Sequence, residues 1–283
     1  MSKRKSRNLS VLAIGAACVL GGCDTQDVKD SVPDVPSKSE IDDAKARVGY
    51  SSDAMGRLHS ALEMLGIIPV YTCGEPRSTF AGKLPAAFSS GFIGATVTAD
   101  GTDPALDKFT LAFPPEGGKL RGHKVTGTLL VKTSGGQDRF NLELDATQAQ
   151  FDGTAVQALG GYGTCGDSTS YWADSQGPLA GASGTYLLKT RVGKKAGLPL
   201  IGSTTLLINA IGEYVRGGKK DALTLTSVDY EVGKVLPRSG KIVIETSNGH
   251  TLAATFSDDT PLAGQVKVKV DSKSAVTIPL PGF

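Results

Sequence analysis

Chemistry in this chain has few carriers. His59, His123 and His250 are its only imidazoles, and no two of them stand at a metal-ligand spacing. No Gly-x-Ser-x-Gly elbow, His-Glu-x-x-His pair or phosphate-cradling Gly-x-x-x-x-Gly-Lys loop occurs. Gly160-Gly161-Tyr162-Gly163 lacks the strand-to-helix setting of a dinucleotide loop and reads as a glycine-rich turn before Cys165. Asp100-Gly-Thr-Asp103, with Asp107 beyond, misses the alternating oxygen spacing of a calcium loop and reads as a hairpin turn. His59, beside Leu58, reads as a surface histidine. The reading is of a protein with no catalytic residue, no metal and no cofactor.

The stretch most suited to binding runs from Tyr162 to Gly184. It gathers Tyr162, Tyr171, the only tryptophan Trp172, Asp167 and Asp174 among glycines and serines. Aromatics and acceptors on a polar loop are what a glycan or protein contact surface uses. The plainer alternative has Tyr171 and Trp172 covering one end of the core.

Positioning such residues requires a scaffold, and its period is legible. Met55, Leu58, Leu62 and Leu65 fall at spacings of 3, 4 and 3, which predicts a short N-terminal helix over 53–65. Ser52 suits its N-cap, and Pro69 forbids continuation. From about Val70 the period becomes 2. Phe109, Leu111 and Phe113 alternate with polar residues, as do Phe140, Leu142 and Leu144, then Leu252, Ala254 and Phe256, then Val266, Val268 and Val270. Ser247-Asn248-Gly249-His250, Ser134-Gly135-Gly136-Gln137 and Asp271-Ser272-Lys273-Ser274 read as tight connections between strands. The expected fold is all-β, with antiparallel sheets in a β-sandwich or barrel-like arrangement.

The strands also repeat. Gly127-Thr-Leu-Leu-Val-Lys-Thr-Ser-Gly-Gly136 matches Gly240-Lys-Ile-Val-Ile-Glu-Thr-Ser-Asn-Gly249 in pattern, and Asp107-Lys-Phe-Thr-Leu111 matches Asp221-Ala-Leu-Thr-Leu225. Thr-Cys-Gly-acid opens each half, at Cys73 and Cys165. These matches predict two duplicated β-halves, 51–161 with the helix and 162–283.

The N-terminus states an address. Lys3, Arg4, Lys5 and Arg7 precede an uncharged apolar run from Leu9 to Val19, too short to span a bilayer, and Leu20-Gly21-Gly22-Cys23 follows. These residues resemble the signal and lipobox of bacterial lipoprotein precursors. The resemblance implies that 1–22 is a signal peptide and that Cys23 is acylated and becomes the mature N-terminus. It places the chain in the bacterial envelope, with its folded part in the periplasm and the outer membrane favoured over the inner. Residues 23–50, acidic and interrupted by Pro33 and Pro36, then read as a flexible tether. With 1–22 removed, 26 basic residues face 28 acidic ones, so no nucleic-acid partner is expected. Of four cysteines, Cys73 and Cys165 remain, and two thiols in an oxidising compartment pair; a reactive thiol is the alternative. The function these features suggest is a lipid-anchored, non-catalytic protein that binds or scaffolds a partner, a glycan or an envelope protein, through its β-surface. The second reading is a carrier of lipid or another amphiphile in a β-lined cavity, with the helix as its lid.

Overall fold

The computed structural model describes residues 34–69, 71–103, 106–165, 168–179, 181–192, 205–231 and 234–280. Residues 35–283 form one compact unit. Helices α1 (Lys38–Leu65), α2 (Arg77–Ala81) and α3 (Leu84–Gly91) precede the strands. Then come β1 (Thr96–Asp103), β2 (Leu106–Ala112), β3 (Gly118–Leu120), β4 (His123–Gly136), β5 (Arg139–Phe151), β6 (Thr154–Ala155) and β7 (Ala158–Cys165). Next are β8 (Ser168–Pro178), β9 (Thr185–Val192), β10 (Thr205–Arg216), β11 (Lys219–Glu231), β12 (Ser239–Glu245) and β13 (Thr251–Phe256). A short α4 (Thr260–Ala263) leads to β14 (Gln265–Val270) and β15 (Val276–Pro279).

The fold is all-β and antiparallel, but as one sheet of fifteen strands that does not close. Strands follow one another in chain order, with β3 and β6 appended to β4 and β5. Short turns suffice for such an order, which is why the three turn signals fall between β4 and β5, β12 and β13, and β14 and β15. The division expected between residues 161 and 162 falls inside β7, which is bonded to β5 on one side and β8 on the other. Alternation puts Phe140, Leu142 and Leu144, Ile242 and Ile244, and Val266, Val268 and Val270 on the buried face.

What that face buries is α1. The helix is far longer than 53–65, and residues 38–50 of the expected tether belong to it. Pro36 lies just before the helix and does not break it. Ser37 caps it, accepting from the Glu40 N–H at 3.3 Å while the Glu40 carboxylate accepts from the Ser37 N–H at 2.7 Å. The charges that suggested solvent are matched across to the sheet. Glu40 meets Lys273 at 2.7 Å, Asp43 meets Arg216 at 3.3 Å, and buried Arg47 pairs with both Asp43 and Asp221. Ala44, Val48 and Ser51 are buried between these pairs.

Two contacts require the sheet to curl around α1. His59 stacks on Tyr230 at the end of β11, and Glu63, one turn on, lies 3.9 Å from His123 at the start of β4. Six strand spacings separate β4 from β11, roughly 29 Å on a flat sheet at about 4.8 Å per strand. Only a curled sheet brings both strands to one helix. Consistently, Leu58 through Leu65 are all buried, whichever way they point.

The repeat has a structural counterpart. Asp107 accepts from Thr133 Oγ1 and Arg77 Nε, each at 3.0 Å, and Asp221 takes Arg47 and the Ser247 N–H. Each copy therefore spends its first aspartate on an arginine from the helical N-terminal region and on the strand motif that follows. Among the described residues no helix is long and apolar enough to cross a membrane.

Candidate functional site

A cluster of buried titratable residues lies on α1 and on the strand ends that close over it. Glu63 falls in the most deeply buried stretch of the helix and has no exposed surface. His59, one turn earlier on the same face, places Nε2 at 3.3 Å from Glu63 Oε1. From β4, His123 places its Nε2 at 3.9 Å from Glu63 Oε2. The two rings are 3% and 8% exposed, and neither Nε2 makes a hydrogen bond.

Both rings are fixed from behind. His123 Nδ1 lies 2.6 Å from Asp152 Oδ2. Asp152 occupies the left-handed region (φ 50°) just beyond β5, with Gly153 (φ 80°) completing the turn. Its other oxygen accepts from the Lys124 N–H at 2.8 Å, and its own N–H donates to Lys124 O at 2.8 Å. The carboxylate is thus pinned, and it pins the ring. His59 is held by its stack on Tyr230, centroids 4.1 Å apart at 12°. Burial pushes the Tyr230 hydroxyl well above the ordinary tyrosine range, so it stays protonated.

A cleft of about 640 Å³ opens beside this group. Its floor is one face of α1, where Gly49, Ser52, Asp53, Gly56, Arg57 and Ser60 recur at helical spacing. A Cβ built on Gly56 would meet nothing within 4 Å, so the small residues create open space rather than close packing. Phe151, Asp152 and Val156 form one wall and Lys234, Val235 and Leu236 the other. Arg57 is bonded to Asp53 at 2.9 Å and lies over the Tyr186 ring. His59 and His123 reach the cleft at its inner end.

The Asp152–His123 couple orients an imidazole as a general base requires, but Ser60 Oγ donates to Gly56 O at 3.0 Å. The polar group facing His123 Nε2 is the Glu63 carboxylate.

The described residues singled out from sequence lie elsewhere. Tyr162 is core: 1% exposed, it points inward from β7 and its hydroxyl donates to Pro69 O at 3.1 Å. Tyr171 and Trp172 belong to β8, paired with Tyr162 and Gly161, so the segment expected as a loop is largely a β-hairpin. Trp172 is half-buried on the outward face over Gly161, whose missing side chain makes room for the ring. Asp174 lies opposite Lys189 of β9. Asp167 and the Tyr171 side chain fall outside the described residues, as do Cys23 and the lipobox.

Cys73 is disulfide-bonded. The Cys165 side chain lies outside the described residues, but its backbone is close by. The Gly74 N–H donates to Gln137 O in the β4–β5 turn, and Thr164 pairs with Phe140 just beyond that turn.

His59, Glu63, His123 and Asp152 were not found by motif. One signal was present: His59-x-x-x-Glu63 puts an imidazole and a carboxylate on one helix face, beside Leu62 and Leu65. His123 and Asp152 reach that face only through the curl of the sheet. Compared with protein-family models, curated proteins and solved structures, the chain matches none.

Proposed function

We propose that this is a lipid-anchored, non-catalytic binding protein of the bacterial envelope, and that its ligand is a small amphiphile held in the cleft on α1. The observation that carries this reading is the cleft itself. At about 640 Å³ it falls within the ~300–1,000 Å³ range of small-molecule sites. Its lining joins apolar surface from Tyr50, Phe151, Val156 and Leu236 to polar groups of both signs, Arg57 with Asp53 and Lys234 at the rim. Such a lining suits an apolar body with a polar or zwitterionic head. The sheet interior, where a lipocalin-like carrier would hold its cargo, is filled by α1, which makes the helix the floor of the site and not its lid. The lipobox resemblance supports the anchor, and the disulfide at Cys73 agrees with an oxidising compartment.

The test uses residues 24–283 exported on an ordinary signal sequence, titrated with a fluorescent anilinonaphthalene sulfonate probe. The probe should bind at a single site, and Gly56→Leu, which fills the cleft from its floor, should weaken binding at least tenfold. Equal binding by wild type and Gly56→Leu would overturn the assignment of the site.

A further inference from the structure

Resting on the reading of the cleft as the site of the ligand's apolar body, we propose that the amphiphile carries an uncharged saccharide head, bound in a second hollow of about 720 Å³ that adjoins the cleft at Arg57. The hollow opens where the sheet parts. β5 pairs with β7 only from Phe140 to Asp145, and beyond that its edge turns to β6. Thr147 of β5 and Gln157, just before β7, line the hollow at this parting. Arg57 joins the two spaces. It lines the cleft, its guanidinium lies 5.6 Å from the centre of the Tyr186 ring, and a Cβ on Gly177 would lie 3.3 Å from its Nη1. Tyr186 and Gly177 both line the hollow. The chain makes the same step from one space to the other between Val156 and Gln157.

The spare hydrogen-bonding groups of the hollow select the head. A sugar hydroxyl both donates and accepts, and the groups that answer it in kind are carboxamides and hydroxyls. Among the described residues the side chains of Gln157, Gln176 and Thr185 make no hydrogen bond, and all three line the hollow. Its charged groups are engaged: Glu213 pairs with Lys220, and Arg57 with Asp53 at 2.9 Å. An anionic head would want spare donors alone and a cationic head spare acceptors alone, whereas these three side chains offer both. Gln157 is set in place by its backbone. It holds the left-handed region (φ 49°), and glycine at 177 leaves room for its carboxamide, with which a Cβ would collide. Pro178, Leu187 and Val215 add apolar surface for the C–H face of a sugar ring.

Octyl glucoside and octanol share a tail and differ by the sugar, so their comparison isolates the head. The compact unit lies within 35–283, and residues 24–283 therefore serve for the test. The protein is loaded with Nile red, an uncharged probe, which octyl glucoside, octanol and octyl phosphate then displace, each below its micelle concentration. Octyl glucoside should act at a concentration at least tenfold lower than either of the others, because a site built to hydrogen-bond hydroxyls rejects analogues that lack them. Gln176→Ala and Gln157→Gly, the second keeping the left-handed turn, should each remove that advantage and leave displacement by octanol unchanged. Equal displacement by glucoside and octanol overturns the saccharide head and leaves the cleft standing, as does an advantage that survives both variants. Stronger displacement by octyl phosphate does the same and puts an anion on Arg57 instead. Nile red that fails to bind, or that binds Gly56→Leu as well as wild type, overturns the cleft and the head together.

Discussion

Gly56 offers the sharpest test of whether the face of α1 is open. It lies near the middle of a 28-residue helix, where glycine costs about 1 kcal/mol relative to alanine through its extra freedom in the unfolded chain. A glycine in such a place is explained either by close packing or by a need for space. The built Cβ meets nothing within 4 Å, so packing is not the reason. Gly56→Ala should therefore stabilise by about 1 kcal/mol, which in a unit of this size raises Tm by about 2–4 °C. Gly91, the last residue of α3, is the contrast. A Cβ there would lie 2.1 Å from Ile67 Cγ2, so Gly91→Ala should lower Tm. Thermal unfolding of both variants by circular dichroism decides it. A fall in Tm with Gly56→Ala would mean that the space over the helix is filled, and the cleft would lose its floor.

Four further outcomes follow from named contacts. Asp221→Asn leaves Arg47 buried with Asp43 as its remaining carboxylate and should cost about 3 kcal/mol in denaturant unfolding, the low end for breaking a buried pair. Lys273 and the Ser37 N–H hold the Glu40 carboxyl down at about 2, from an ordinary 4.5. Its contribution to stability is therefore complete above pH 4.5 and lost as pH falls through 2; Glu40→Gln should flatten that part of the acid-unfolding curve, and an unchanged curve would refute the pairing. Cys73→Ala should destabilise by about 2–5 kcal/mol, and the unfolded wild type should resist thiol reagents until reduced. Cys23 should take up a fatty-acid label in cells, and wild-type protein without label would remove the anchor.

The strands were legible because each buries one face, and a period of 2 survives any sheet curvature. β7 and β8 escaped because small residues, Gly160, Ala173 and Ser175, hold inward positions, while Leu159 and Trp172 stand outward and Gly161 gives its space to Trp172. Half of α1 was legible for the matching reason: Met55, Leu58, Leu62 and Leu65 form an apolar stripe. Its first half is buried largely through ion pairs, and Glu40, Asp43 and Arg47 look like a solvated segment until Lys273, Arg216 and Asp221 are brought opposite them. The histidine pair was invisible for a deeper reason. His59 and His123 are 64 residues apart, and their meeting depends on how far the sheet curls, which no local period encodes.

The chain also contains a comparison that bears on what the buried pair is for. His250 and Asp271 reproduce His123 and Asp152 bond for bond: Nδ1 on one carboxylate oxygen, the next residue's N–H on the other at 2.8 Å, and an aspartate at φ 50° returning its N–H to that residue's carbonyl. On the surface, at the junction of β13 and β14, this arrangement has only a strand end to secure. The His123–Asp152 bond therefore needs no function beyond closing β4 against β5. What the surface copy lacks is a helix across from the ring. In the buried copy α1 supplies His59 and Glu63 among the apolar side chains of Leu62, Met64 and Leu65. In that copy the polar group facing the ring is the Glu63 carboxylate, 3.9 Å from His123 Nε2.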